Sequence, residues 1–224
     1  MVMATEEGVL KILEKCGCLL TGQFILKSGV HADRYVQKDL VIPIIKYSRL
    51  LFEWTAGLMR PHNIEVVVGP AEGAVGLSMG VAIALQEILN DHVTNIPVLR
   101  RHKRDDQGNL TEVKEFYIRP DHIPLFEGKR VAIAEDILTT GSSAKEVREV
   151  VESYGGIVVG VSAICNRGGV IAEDMGVEHV WALSAPNVES WADGEEPDWL
   201  KEVPINTQIG HGAAYLKARG GQYP

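Results

Sequence analysis

Two alternating patterns of apolar residues run along this chain. Short apolar runs, typical of buried strands, lie at 64–68, 96–99, 131–134, 157–164 and 177–183. Apolar residues at helical spacing predict helices at 5–16, 45–60, 74–89 and 147–154, where the last ends at a Gly-Gly pair. Strands that alternate with helices predict an α/β fold with a central parallel sheet and right-handed crossovers.

Three segments depart from this alternation. Residues 22–35 mix short β-prone pieces with glycine turns and predict an irregular hairpin. Residues 100–114 open with four basic residues in five positions, show no apolar period, and predict a loop without regular structure that is mobile in the free protein. Residues 184–200 predict a surface loop anchored by tryptophans, and we assign no chemistry to the tail after them.

Composition narrows the class of protein. The 224 residues are 46% hydrophobic and 23% charged, which suits one globular domain with a small appendage. A net charge of −8 argues against general nucleic-acid binding. The three cysteines have neither zinc nor disulfide spacing, which indicates reduced thiols. The sequence shows no signal pattern and no apolar run long enough to span a bilayer. We therefore predict a cytoplasmic protein that does not contact membranes. The histidines lack metal-ligand spacing, so we predict no metal held by protein ligands alone.

The clearest chemical signal follows the apolar run Val131–Ala134. Two acids, Glu135 and Asp136, close the strand, and a turn rich in hydroxyl groups leads into the next helix. A helix N-terminus offers unpaired N–H groups to a phosphate, and the carboxylates could accept hydrogen bonds from two sugar hydroxyls. A helix with an ordinary Ser/Thr cap would explain one hydroxyl but not the paired acids. The sequence therefore predicts a sugar-phosphate site made of Glu135, Asp136, Thr139, Thr140, Gly141, Ser142 and Ser143.

These residues, Val-Ala-Ile-Ala-Glu-Asp-Ile-Leu-Thr-Thr-Gly-Ser-Ser, resemble the phosphoribosyl-pyrophosphate (PRPP) motif of type I phosphoribosyltransferases. The stretch Phe24-x-Leu26-Lys27-Ser28-Gly29, with Tyr35 downstream, is similar to the N-terminal signature of the orotate phosphoribosyltransferases. The resemblance implies that Lys27 reaches the base and pyrophosphate and that Tyr35 packs on the pyrimidine. By composition alone, Lys27 would be an exposed cation and Tyr35 a half-buried ring.

The same resemblance gives roles to three further segments. The turn at 69–74 would hold pyrophosphate, although Glu72 departs from the family pattern. The basic stretch matches the family's catalytic loop, with Lys103 as the catalytic lysine and Arg101 and Arg104 beside it. Without the resemblance, this stretch could be a solvated charged loop. Arg167 would bind the orotate carboxylate, and Asn166 stands where the family commonly has aspartate.

The resemblance implies the type I phosphoribosyltransferase fold, with a hood segment at 1–60, a PRPP-binding core at 61–183, and a tail at 184–224 that packs on core or hood. It implies an enzyme of pyrimidine biosynthesis that transfers phosphoribosyl from PRPP to orotate, with Mg²⁺ bound mainly through PRPP and water. Lys103, Lys27 and Asp136 would be catalytic, and the working unit would be a homodimer. The alternatives are transfer to another base and a non-catalytic PRPP-sensing regulator.

Overall fold

The computed structural model describes residues 4–37 and 40–220. The ends of the predicted hood and tail, 1–3 and 221–224, lie outside the described residues, as do Lys38 and Asp39. The helices are α1 (Glu6–Lys15), α2 (Ile45–Met59), α3 (Val75–Leu89), α4 (Ser142–Ser153), α5 (Ala172–Met175), α6 (Asp198–Lys201) and α7 (Gly212–Ala218). The strands are β1 (Leu19–Ile25), β2 (His31–Val36), β3 (Val66–Pro70), β4 (Thr94–Arg104), β5 (Leu110–Tyr117), β6 (Arg130–Leu138), β7 (Ile157–Asn166), β8 (His179–Ser184) and β9 (Ser190–Trp191).

The predicted alternation of strands and helices is confirmed in the larger of two compact units, which comprises described residues 4–9 and 42–185. Its sheet has the strand order β5-β4-β3-β6-β7-β8. The five strands from β4 to β8 in this order pair in parallel, and β5 pairs antiparallel with β4. The sheet is therefore mostly parallel, with one antiparallel edge strand that the sequence did not predict.

The apolar runs of the sequence form the centre of this sheet because both of its faces are covered. Val66–Val68 and Val131–Ala134 are almost fully buried. Helix α4 packs Ala144, Val147 and Val151 into the same core. A strand covered on both faces needs an unbroken apolar run, which is why the central strands were visible in the sequence.

The predicted loop at 100–114 is the main error in the fold. β4 continues to Arg104 and β5 starts at Leu110, so most of the segment is a β-hairpin. Arg101 Nε donates to Glu115 Oε1 at 2.9 Å, and the Arg100 guanidinium lies 4.2 Å from the centre of the Phe116 ring. All residues from 101 to 110 are exposed. A hairpin with solvent on both sides needs no apolar alternation, and the partners that pair with Arg100 and Arg101, namely Phe116 and Glu115, lie beyond residue 114.

The hairpin turn also has a local cause. Asp105 Oδ1 accepts hydrogen bonds from the backbone N–H groups of Gln107 and Asn109, at 3.0 and 2.8 Å. These bonds hold the pKa of the Asp105 carboxyl below its usual range, and the bond from the Asn109 backbone contributes most. Gly108 has a φ of +85°, which glycine adopts without strain. The turn is thus closed by an aspartate side chain that mimics backbone.

The smaller unit comprises described residues 10–37, 40–41 and 186–220. The predicted hairpin at 22–35 is confirmed as the antiparallel pair β1 and β2, and β9 adds a third strand. Gln23 also pairs with Ile205 of the C-terminal segment. Helix α2 belongs to the larger unit, and the C-terminal segment belongs with the hairpin in the smaller one.

The segment at 184–200 is only partly the loop that the sequence predicted, since it contains β9 and α6. Trp191 and Trp199 meet edge to face with ring centres 6.0 Å apart. Trp199 is 54% exposed, however, while Leu200 is fully buried. The side chain that fixes α6 is therefore the leucine, and the prediction of a tryptophan anchor at Trp199 was wrong.

Candidate active site

Three turns leave neighbouring strands of the larger unit at the same edge of its sheet. β6 lies between β3 and β7 and is parallel to both. The carboxyl ends of β3, β6 and β7 therefore meet at one edge, which is where open α/β sheets bind ligands. The turns are residues 71–74 after β3, 139–141 after β6 and 167–171 after β7.

The turn after β6 has the features that the sequence predicted for a phosphate site. Thr139, Thr140 and Ser142 are exposed, and α4 begins at Ser142 without a side-chain cap from Gly141. The Thr140 hydroxyl donates to Ser142 Oγ at 3.1 Å. Exposed hydroxyls beside a helix N-terminus are the groups expected to bind an anion. We call residues 139–142 the phosphate turn.

Gly141 is required by both its conformation and its neighbours. Its φ of +71° lies in the left-handed region, and a Cβ added there would lie 2.5 Å from Met175 Sδ. The same Cβ would lie 3.4 Å from a methyl group of Val170. Any other residue at this position would be strained and would displace the packing beneath the phosphate turn.

The two acids before the phosphate turn are buried within β6. Glu135 is 8% exposed and Asp136 is 6% exposed. Oδ1 of Asp136 accepts a hydrogen bond from the backbone N–H of Ile137 at 2.7 Å. Their side chains contain only oxygen ligands, which suits sugar hydroxyls or a hard cation such as Mg²⁺.

Arg167 lies beside the phosphate turn. Leu138 of β6 is paired with Asn166 of β7, so the next residues, Thr139 and Arg167, leave the sheet side by side. Arg167 Nη2 donates to Thr139 Oγ1 at 3.3 Å. The structure thus brings together Asp136, the phosphate turn and the arginine that the sequence singled out.

A buried thiol lies beneath this group. Burial raises the pKa of the Cys165 thiol to about 12, while the Arg167 guanidinium opposes the rise and the Asp136 carboxylate adds to it. The thiol therefore stays protonated and unreactive at neutral pH. Cys16, Cys18 and Cys165 are all buried, and none of the three forms a disulfide.

The turn after β3 is held close to α3. A Cβ on Gly69 would lie 2.3 Å from the carbonyl oxygen of Ala74, so only glycine lets the backbone double back here. Ala71 N–H donates to the carbonyl oxygen of Val98 at 2.7 Å. Glu72 and Gly73 are exposed, and the Ala71–Glu72 peptide bond is cis. Backbone next to a helix N-terminus is thus presented at the edge of the sheet, beside the phosphate turn.

Comparison with known proteins decides the family. A family model described as the phosphoribosyl transferase domain matches residues 45–188. An orotate phosphoribosyltransferase of Thermotoga petrophila is 37% identical over 161 residues, which cover 71% of this chain and 75% of that protein. The chain belongs to the orotate phosphoribosyltransferase family. A member from Pelotomaculum thermopropionicum is 34% identical over 200 residues, covering 89% of this chain and 95% of that protein.

Solved structures of this family share the fold. The crystal structure of Mycobacterium tuberculosis orotate phosphoribosyltransferase matches with a TM-score of 0.59 and 24% identity, covering 79% of this chain and 95% of that chain. The phosphoribosyltransferase fold that the sequence predicted is therefore confirmed. None of the described helices, the longest of which have 15 residues, has the length and apolar character to span a membrane.

Among the basic residues at 100–104, the hairpin engages every side chain except that of Lys103. Arg101 pairs with Glu115, and Arg104 Nη1 donates to the carbonyl oxygen of Gly108 at 2.7 Å. His102 Nδ1 donates to the carbonyl oxygen of Thr111 at 2.8 Å. Among the contacts of the described residues, the Lys103 ammonium takes part in no hydrogen bond, ion pair or ring contact, and it is exposed.

The two candidate site residues of the smaller unit have simple surroundings. Lys27 is exposed, in the turn between β1 and β2. Tyr35 is half-buried, with its ring centre 5.5 Å from that of Phe24. A Cβ on Gly210 would lie 3.5 Å from the same tyrosine ring. The family roles of Lys27 and Tyr35 remain predictions.

The smaller unit also contains a polar cluster that the sequence did not predict, because its members, Gln23 to Arg219, lie up to 196 positions apart. The nitrogen and oxygen atoms of His31, Asp193 and Glu196 lie within 4.8 Å of one another, and His31 is 2% exposed. Gln23 Nε2 lies 2.9 Å from His31 Nδ1. Arg219 pairs with Asp193 and holds the pKa of that carboxyl below its usual range. Because Arg219 already neutralises Asp193, we assign this cluster to anchoring the C-terminal segment and not to a metal.

Proposed function

We propose that this protein transfers the phosphoribosyl group of PRPP to orotate, giving orotidine 5′-monophosphate and pyrophosphate. The observation that carries the proposal is the group at the carboxyl edge of the sheet. Two buried acids, a phosphate turn with exposed hydroxyls and a half-buried arginine follow adjacent strands. A sugar phosphate and a carboxylated base are the ligands that this combination suits.

The reaction forms a bond between a ring nitrogen of orotate and C1′ of the ribose, and it breaks the bond from C1′ to pyrophosphate. Positive charge develops on the ribose and negative charge on the leaving pyrophosphate. Most of the rate enhancement then comes from positioning and from electrostatic stabilisation of these charges. The protein needs no covalent intermediate.

Each residue of the site has a role in this scheme. The hydroxyls and N–H groups of Thr139, Thr140, Gly141, Ser142 and Ser143 bind the 5′-phosphate, and Glu135 and Asp136 hold the ribose hydroxyls or their metal. Arg167 binds the orotate carboxylate, because its planar fork matches two carboxylate oxygens. Tyr35 packs on the pyrimidine, by resemblance to the family.

Lys103 and Lys27 neutralise the pyrophosphate. The hairpin favours Lys103 for this role because its neighbours are already engaged and its own ammonium is available. Arg101 and Arg104 then support the hairpin geometry through their contacts with Glu115 and Gly108. When bound, Mg²⁺ supplies positive charge to the oxygens of PRPP and keeps several waters, and the oxygen-only side chains of Glu135 and Asp136 fit such an ion.

The working unit in this proposal is a homodimer in the cytoplasm. The hairpin is exposed from residue 101 to residue 110, so Lys103 can reach another subunit. On α3, Met79 and Ile83 lie one turn apart and are 50% and 53% exposed, and Ile45 of α2 is 71% exposed. Exposed apolar residues that lie together, as Met79 and Ile83 do on α3, are typical of protein interfaces. Three cysteines that form no disulfide suit a reducing compartment.

One assay tests the reaction and the choice of base together. The protein is incubated with PRPP and Mg²⁺ and with orotate, uracil, adenine or hypoxanthine, and pyrophosphate release is measured. We expect release with orotate to exceed release with uracil, which lacks the carboxylate, by at least 100-fold. That ratio corresponds to about 2.8 kcal/mol, within the range for losing a buried charge pair. Equal release with uracil, or release only with purines, would refute the assignment of orotate.

A further inference from the structure

Asn166 closes the turn after β7 through both halves of its amide. Its Nδ2 donates to the carbonyl oxygen of Val170 at 2.8 Å, and its Oδ1 accepts from the N–H of Val170 at 3.0 Å. The amide therefore holds residues 166–170 as a closed loop, which we call the arginine turn because it carries Arg167. An ionised aspartate, the acid common in the family at this position, could accept from Val170 but could not donate to it.

The arginine turn contacts the phosphate turn on two sides. On one side, the Gly168 N–H donates to the carbonyl oxygen of Leu138 at 3.1 Å, and Arg167 donates to Thr139. A Cβ on Gly168 would lie only 1.6 Å from the carbonyl oxygen of Thr139, so the two backbones are in direct contact. On the other side, Val170 lies under Gly141. The arginine turn therefore contacts the phosphate turn at both Thr139 and Gly141.

We propose that Asn166 is a positioning residue that couples the base-binding arginine to the phosphate turn. Its amide fixes the arginine turn, and the arginine turn in turn supports both Thr139 and Gly141. The names of the two ligands rest on the proposed function, whereas the mechanical coupling does not. Asparagine is required at this position because one side chain must both donate to and accept from the same backbone residue.

The experiment compares two variants at this position with two matched controls. Asn166→Ala removes both hydrogen bonds, and Asn166→Asp removes only the donor. Asn95 is also a half-buried asparagine, and its Nδ2 donates to the carbonyl oxygen of Val67 at 3.0 Å on a strand pair outside the arginine turn. Asn95→Ala and Asn95→Asp therefore make the same two substitutions and remove one donated hydrogen bond without touching the arginine turn.

Two readouts are taken on each variant, with melting temperature as the check on folding. The first is hydrogen–deuterium exchange of residues 138–144 in the free protein, which needs no substrate. The second is the dissociation constant for PRPP with Mg²⁺ and, separately, for orotate. Both Asn166 variants should speed exchange in this segment and weaken both ligands by about tenfold, the factor that corresponds to about 1.4 kcal/mol. The Asn95 variants should change neither readout.

The outcomes separate this inference from the proposed function. Faster exchange of the phosphate turn in Asn166→Ala, in a protein that does not bind orotate, would support the coupling and refute the function. Unchanged exchange in a folded Asn166→Ala protein, or equal effects in the Asn95 variants, would refute the coupling. Wild-type behaviour of Asn166→Asp would show that the donor is not needed, which contradicts the reason given for asparagine. If Asn166→Ala does not fold, the Asp variant decides by the same criteria.

A double variant tests whether Asn166 acts through Arg167. Arg167→Ala should weaken orotate and leave PRPP binding close to wild type. Adding Asn166→Ala to it should weaken PRPP about tenfold, as in the single variant, with little further effect on orotate. If the two substitutions had fully additive effects on the free energy of orotate binding, Asn166 would not position the arginine.

Discussion

Gly168→Ala should damage the site through a steric conflict between two backbones. The new Cβ would lie 1.6 Å from the carbonyl oxygen of Thr139 and 2.5 Å from its carbonyl carbon. Ordinary contact begins at 3.4 Å, so the arginine turn and the phosphate turn must separate by about 1.8 Å. Neither contact is with a flexible side chain that could move away. The strain falls on the backbone of Thr139, the first residue of the phosphate turn.

The expected magnitude follows from that displacement. A shift of ~1 Å in a positioning group can lower turnover about 100-fold. Gly168→Ala also stretches the hydrogen bond from Gly168 N–H to Leu138, and overpacking of this kind typically lowers stability by ~1–3 kcal/mol. We therefore expect kcat/KM for PRPP to fall at least 100-fold, with a melting temperature that drops but leaves the protein folded at 25 °C.

The next residue provides the control. Gly169 has a φ of +63°, but a Cβ there would meet no atom within 4 Å. Asparagine can adopt this left-handed conformation, so the Gly169→Asn protein should keep most of the wild-type activity. Pyrophosphate release with orotate measures kcat/KM, and calorimetry measures PRPP binding. A kcat/KM for Gly168→Ala within threefold of wild type would refute the reasoning, as would an equal loss in Gly169→Asn.

Four further predictions concern charge. Asp136→Asn should stay folded and weaken PRPP binding, measured by calorimetry, by ~1.5–3 kcal/mol. Wild-type kinetics in this variant would show that Asp136 is not part of the site. Arg167→Ala should raise the KM for orotate by the equivalent of ~2–5 kcal/mol and that for PRPP much less, as steady-state kinetics would show. When the Lys103→Ala and Asp136→Asn proteins are mixed and refolded together, part of the activity should return, because one site of each hybrid dimer carries neither substitution. Hybrid dimers without activity would mean that the hairpin serves its own subunit or that Lys103 is not the catalytic lysine. The pKa of Cys165 is about 12 in the folded state and 9.0 ordinarily, so above pH 9 the folded state keeps a proton that the unfolded state loses, and the free energy of unfolding falls as pH rises. Urea unfolding at pH 8 and pH 10.5 should therefore show a smaller fall in this free energy for Cys165→Ala than for the wild type. An equal fall in both proteins would contradict the assignment.

The sequence by itself determined the parallel strands of the central sheet, the helices between them and the phosphate turn. Each of these is a local pattern. A strand buried on both faces must be an apolar run, and a phosphate turn needs hydroxyls and glycine at fixed short spacing. The acids Glu135 and Asp136 were found for the same reason, since they lie next to the turn in the chain. The family followed from these local motifs and was confirmed by comparison with known proteins.

Only the tertiary structure decided the rest. The hairpin after Arg100 depends on cross-strand partners such as Glu115 and Phe116, and its exposed faces give no apolar alternation. The pairing of Leu138 with Asn166 sets Arg167 beside Thr139, although 28 residues separate them in the chain. The cluster around His31 likewise joins the first strands of the smaller unit to its last helix. Contacts between distant segments depend on strand register and packing, and no pattern confined to one segment encodes them.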